Sequence, residues 1–206
     1  MEENTISVNP AAMPENKAMR AAAKTELKGR WAQPVLCTLV YLVVCGAVGA
    51  IPFIKFASFL ITFPLAFGFS VTFLNFMRDI NREQMVGQPF QMFKQFGRYL
   101  GTSLLMNIFV ALWSLLLVIP GIIMSYAYAM TPYIMHDNPE MGAMECIKKS
   151  KAMMKGYKWK LFLLDLGFIG WILLAGITLG IYGLWLTPWM QCSRAKFYEE
   201  LKARQN

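Results

Sequence analysis

Six apolar stretches, most about 20 residues long, constrain this chain more than any other feature. A helix rises 1.5 Å per residue, so about 20 apolar residues cross a hydrocarbon core of about 30 Å. The runs fall at about 32–54, 56–76, 99–119, 121–135, 159–179 and 180–197. The fourth is short and stops at His136-Asp137-Asn138-Pro139. Composition agrees: 56% of the 206 residues are hydrophobic and 16% charged, where soluble domains carry about 45–50% and 25%. A β-barrel would show alternating segments of about ten residues, and no such alternation is visible. The fold expected is all-α, a polytopic helical membrane protein with six transmembrane helices.

The runs pair into three hairpins. Tight turns are expected at Ile51-Pro52-Phe53-Ile54-Lys55, Ile119-Pro120-Gly121 and Leu179-Gly180, with longer polar connections between hairpins. Basic residues mark the side retained in the cytoplasm when loops are short. Five precede the first span, four lie in the second connection, six in the fourth and four at the C-terminus, which leaves only Lys55 in an outer turn. Both termini are therefore expected inside, as a tail over 1–15, one membrane domain over 16–201 and a second tail over 202–206. A net charge of +8 would suggest nucleic acid in a soluble chain. Here its placement assigns it to topology and to anionic lipid of the inner leaflet. The polar first 30 residues, with Pro10 and Pro14, argue against a cleaved signal peptide.

An offset of 68 residues superposes Gly29-Arg30-Trp31 on Gly97-Arg98-Tyr99, Ile51-Pro52 on Ile119-Pro120, and Pro64 on Pro132. With small insertions and deletions a third copy follows, in which Thr187-Pro188-Trp189 echoes Thr131-Pro132-Tyr133. The unit is an interfacial helix ended by Gly in positive φ, an aromatic at the membrane entry, and two spans of which the second carries proline. Proline removes a backbone donor, so Pro64, Pro132 and Pro188 are candidate helix kinks, serving either packing or gating. Interfacial helices are expected over Lys17 to Lys28, around Phe90, Phe93 and Phe96, and over 139–156. In the last, Met141, Met144, Ile147 and Met154 take one side, and Lys148, Lys149, Lys151 and Lys155 face headgroups from the other.

An ionisable residue inside a span is costly and a functional candidate by default. Asp165 is the clear case. In an antiparallel hairpin turning near residue 179 its level matches Arg194, so an Asp165–Arg194 ion pair is expected, with a proton or cation relay as the competing role. Asn107 is expected to hydrogen-bond across helices. Cys37, Cys45, Cys146 and Cys192 have no metal-ligand spacing and read as small buried hydrophobes. With His136 the only histidine, no histidine-based zinc cluster is expected, and no P-loop, dinucleotide fingerprint, HExxH or GxSxG occurs. No catalytic, cofactor or metal site is expected, and an enzyme is disfavoured.

The stretch Asp137-Asn138-Pro139, Ser150 to Gly156, Trp159, Phe162, Leu164-Asp165-Leu166, Phe168-Ile169-Gly170-Trp171, Thr178-Leu179-Gly180-Ile181, Leu184-Trp185, Pro188 and Phe197-Tyr198 resembles the domain-of-unknown-function 975 family of bacterial integral membrane proteins. The resemblance is dense over 119–201 and thinner earlier, through Ala23-Lys24, Leu27-Lys28-Gly29 and Trp31. Gly180-Ile181-Tyr182-Gly183 departs slightly from the Gly-Ile-Gly common there. The resemblance implies a multi-pass protein of the bacterial cytoplasmic membrane and no established activity. Asp165 matches a family position to which no role attaches.

The expected function is that of a non-enzymatic accessory or membrane-organising protein with a basic cytoplasmic face, alone or with a homo-oligomeric or membrane-protein partner. A small transporter or channel is the alternative. A lipid-acting enzyme built from Asp79, Asp137 and His136 stands third, and requires those three to surround one pocket.

Overall fold

The computed structural model describes residues 13–50, 55–80, 82–178 and 180–204. The turn expected at 51–54, Leu179 of the last turn and most of the tail drawn over 1–15 lie outside the described residues. Among the described residues every regular element is a helix. They are α1 (Asn16–Leu27), α2 (Ala32–Ala50), α3 (Lys55–Met77), α4 (Gln88–Gln91, between 3-10 turns Arg82–Gly87 and Met92–Gln95), α5 (Phe96–Leu116), α6 (Val118–Tyr128), α7 (Thr131–Asp137), α8 (Ala143–Met153), α9 (Lys158–Leu166), α10 (Ile169–Ile177) and α11 (Gly183–Lys202).

Three helical stretches are long and apolar enough to cross a membrane: Ala32–Ala50, Val118–Asp137 and Lys158–Ile177. Two differ in form from the sequence expectation. The fourth run reaches 118–137 as α6 and α7, and Pro132 opens α7 just past the break, where its missing N–H is harmless. Pro132 is therefore at a helix start, whereas Pro64 and Pro188 lie inside α3 and α11. The fifth run divides at Gly167-Phe168, where the Phe168 amide takes the Asp165 carbonyl at 2.9 Å in a tightened turn.

Turns also moved. The α5–α6 reversal is made by Leu117 in extended backbone (φ −162°, ψ 142°), not at Ile119-Pro120-Gly121, which belong to α6. Proline is tolerated there because a first-turn amide has no partner to lose. Glycine takes positive φ at Gly29 (78°) and Gly156 (86°), ending a polar helix at each. Gly97 does not, because the 3-10 turn before it runs straight into α5. The last expected span, 180–197, runs on to Lys202 because Phe197, Tyr198 and Leu201 are buried there.

Packing is concentrated at one end of the molecule. There Met19 of α1, Val71 and Leu74 of α3, Tyr133 to Met135 of α7, Leu161 and Leu164 of α9, and Tyr198 and Leu201 of α11 share one core. Helix α1 packs on α9 and α11, so the segment expected as an interfacial helix over Lys17 to Lys28 buries Met19, Ala23 and Leu27. Helix α8 buries Cys146, Ile147, Ser150 and Met153; Met144, expected on that face, is exposed, while Ile147 and Met154 are buried as expected. Phe90 and Phe93 are likewise partly exposed, and the segment they belong to docks through Met85, Pro89 and Met92. At the opposite end Leu112, Leu115, Val118, Ile119, Leu173 and Ile177 lie open, and α10 buries no residue. An exposed apolar area that wide needs a nonaqueous neighbour.

Candidate functional site

The most connected polar cluster sits at the packed end, where three helices terminate together. Arg78 follows the last turn of α3, its amide on the Leu74 carbonyl at 3.0 Å. Asp137 is the last residue of α7, and Tyr198, Glu199 and Lys202 occupy the last turns of α11. The Arg78 guanidinium grips both Asp137 oxygens, Nη1 to Oδ1 at 2.5 Å and Nη2 to Oδ2 at 2.8 Å, while its Nε donates to Glu199 Oε1 at 2.7 Å. Lys202 Nζ and Tyr198 Oη donate to Asp137 Oδ2 at 2.6 and 2.9 Å. The Asp137 side chain is only 8% exposed.

Electrostatics explain the arrangement. A carboxylate at a helix C-terminus meets the negative end of the helix dipole. Two cations and a hydroxyl offset that, and Glu199 balances the second cation, so Arg78, Lys202, Asp137 and Glu199 sum to zero. The Arg78 guanidinium is held above its ordinary range, first by its hydrogen bond to Asp137. Beside it, His136 Nε2 meets Asn75 Oδ1 at 3.1 Å and Asn75 Nδ2 donates to Gln88 Oε1 at 3.1 Å, linking α7, α3 and α4. His136 thus faces Asn75, and Asp79 lies exposed at φ 62° in the turn after α3.

In sequence Asp137 stands just past the fourth apolar run, with Asp79 and His136 as its expected companions. Its partners come from helices that are not neighbours in sequence, so no local spacing reveals it. One signal was available: Arg78 and Lys202 each lie fourteen residues after a proline, Pro64 and Pro188.

The structure does bring Asp165 and Arg194 together. Arg194 Nη2 and Nε donate to Asp165 Oδ2 and Oδ1 at 2.7 and 3.1 Å, joining α9 to α11. Asp165→Asn is expected to lower stability by about 1–2 kcal/mol, the smaller end of a charge-assisted pair because Arg194 keeps some solvent. Thermal unfolding in detergent checks it, and an unchanged midpoint would remove the structural role.

Two more cations are committed. Arg98 Nη2 reaches the carbonyls of Met135, Asn138 and Met141 at 3.2, 2.7 and 3.1 Å, closing the end of α7. Arg20 stacks over Phe168 at 5.5 Å, and its carbonyl accepts from Trp189 Nε1 at 2.8 Å, seating α1. Lys148, Lys149, Lys151 and Lys155 are exposed. Asn107, expected to bond across helices, donates to the Ser103 carbonyl of its own helix at 2.7 Å. Cys37, Cys146 and Cys192 are buried free thiols, with Cys45 half-buried. Among the described residues no three His, Cys, Asp or Glu side chains converge as metal ligands.

Neither a curated protein nor a solved structure matches the chain. The sequence model of a family described as protein of unknown function (DUF975) matches residues 13–120 and 114–205. Those two matches cover all of the clusters above, and the chain belongs to the DUF975 family.

Proposed function

We propose that this chain is a six-span protein of a bacterial cytoplasmic membrane, built as three repeated hairpins with both termini inside. It works without catalysis, as an accessory or organising protein whose basic inner face meets anionic lipid. The observation that carries the reading is segregation. All the ion pairs described above and the exposed Lys148, Lys149, Lys151 and Lys155 lie at the packed end. The opposite end is bare apolar helix. Lysines beside a membrane each draw anionic lipid by about 1 kcal/mol, so four on one short helix suffice for surface attachment.

Two features weigh against the competing readings. A transporter needs polar groups facing a pathway, but Ser70, Thr72, Asn107 and Thr178 each donate to a carbonyl of their own helix. A general base needs free lone pairs at hydrogen-bond reach of substrate. Asp137 spends its oxygens on Arg78, Lys202 and Tyr198.

Impermeant thiol labelling of intact cells tests the topology. In a variant whose native cysteines are alanine, single cysteines at Leu117 and Ile181 are expected to label from outside. Those at Lys28 and Lys149 are expected to label only after permeabilisation. External labelling at Lys149 would overturn the six-span arrangement and its inner basic face together.

A further inference from the structure

An open groove of about 420 Å³ runs between α6 and α9, walled by Ile119, Ile123, Tyr126, Trp159 and Phe162, with Lys158 at one end. Its size falls within the range of about 300–1,000 Å³ typical of ligand sites. Trp159 and Phe162 stack at 5.0 Å, and Tyr126 meets the Phe162 ring edge-on at 5.8 Å, so the α9 wall is a preformed aromatic surface. Ile119 to Tyr126 spans about 10 Å along the helix. Lys158 is the one charged group in the lining, and it makes no ion pair among the described residues. It sits at the first residue of α9, on the packed end that also bears the exposed lysines.

An apolar trough whose one charged lining residue is a cation is complementary to an amphiphile with an anionic head and an apolar tail. We infer that this groove holds one acyl chain of an anionic phospholipid, its phosphate on Lys158. The exposed Trp159 belongs at the headgroup boundary, where amphipathic rings collect, and so sets the depth of the head. The inference rests on the membrane reading above but adds a discrete site to a diffuse basic surface.

Native mass spectrometry of the detergent-solubilised full chain, given phosphatidylglycerol and phosphatidylcholine together, distinguishes the two. One phosphatidylglycerol is expected to remain bound per chain. Lys158→Ala should cut its preference over phosphatidylcholine about fivefold, the effect of one cation beside an anionic headgroup, and Lys158→Arg should restore it. Ile123→Trp, which fills the trough, should abolish retention of either lipid. Alanine at Lys148, Lys149, Lys151 and Lys155 together should weaken attachment to charged vesicles and leave the single retained lipid in place. Loss of the retained lipid in that fourfold variant but not in Lys158→Ala would overturn the site and leave the basic-face reading standing. A stable dimer that Ile123→Trp converts to monomer would overturn it in favour of a second copy of the chain in the groove. Equal retention of both lipids by the unaltered chain would also end it.

Discussion

Asp137→Asn is expected to cost the fold about 2–4 kcal/mol. The carboxylate is nearly enclosed and receives Arg78, Lys202 and Tyr198. Removing one member of a buried ion pair typically costs 3–5 kcal/mol, because the other charge stays desolvated. The discount has a structural reason: the Lys202 side chain is 41% exposed and returns to water, and Arg78 keeps Glu199. For a chain of this size each kcal/mol moves a midpoint by roughly 2–4 °C, so thermal unfolding in detergent resolves the effect easily. Arg78→Gln alone should also destabilise. The double variant Arg78→Gln with Asp137→Asn should lose less than the sum of the two, since neither charge is then stranded. Strict additivity would mean that Arg78 and Asp137 are not coupled. The Arg78 part of this latch withstands alkaline pH. Arg78 is raised above its ordinary range by its bond to Asp137, so its contribution is complete below the unfolded value and fades only as pH climbs through the higher folded one.

The contrast between the two ion-pair sites shows how far sequence could reach. Asp165 and Arg194 lie in apolar runs that adjoin in sequence, and the antiparallel geometry expected of such neighbours converts distance from the reversal into a shared level. Asp137 is bound instead by residues 59 and 65 positions away, from α3 and α11. Their approach depends on how α3, α7 and α11 pack, which periodicity within one helix does not encode. The three stretches long and apolar enough to cross a membrane were readable for the same local reason: each needs only its own length and hydropathy. Their ends were less so. Leu117 makes its turn in extended backbone with neither glycine nor proline to announce it, and the docking of α1 hides a burial pattern inside a segment whose composition is polar. Asn107 carried a genuine ambiguity, since a side-chain amide in a helix can satisfy itself on the carbonyl four residues back.

Gly68→Ala is expected to destabilise by about 2–3 kcal/mol, although alanine is the better helix former. A methyl built on Gly68 would stand 2.4 Å from the Pro89 carbonyl oxygen, 2.6 Å from Met92 Cγ and 3.0 Å from Pro89 Cα. Methionine can swing away, but the Pro89 backbone cannot without lifting α4 from α3. Overpacking of this kind costs about 1–3 kcal/mol or more, and the propensity gain of up to about 1 kcal/mol offsets only part of the larger displacement. Gly46, inside α2, supplies the opposite sign: nothing lies within 4 Å of its missing methyl. Gly46→Ala should therefore be neutral or stabilising by up to about 1 kcal/mol. Paired midpoints for the two variants check the prediction, and equal shifts would show that the close contact at Gly68 carries no strain. A second readout follows from what α4 holds. Gln88 accepts from Asn75, which faces His136 beside the Asp137 latch. Lifting α4 therefore loosens the neighbour of the ionic cluster, and Gly68→Ala combined with Asp137→Asn should fall short of additivity. Two lesions at opposite edges of one packed end would then report the same cooperative unit.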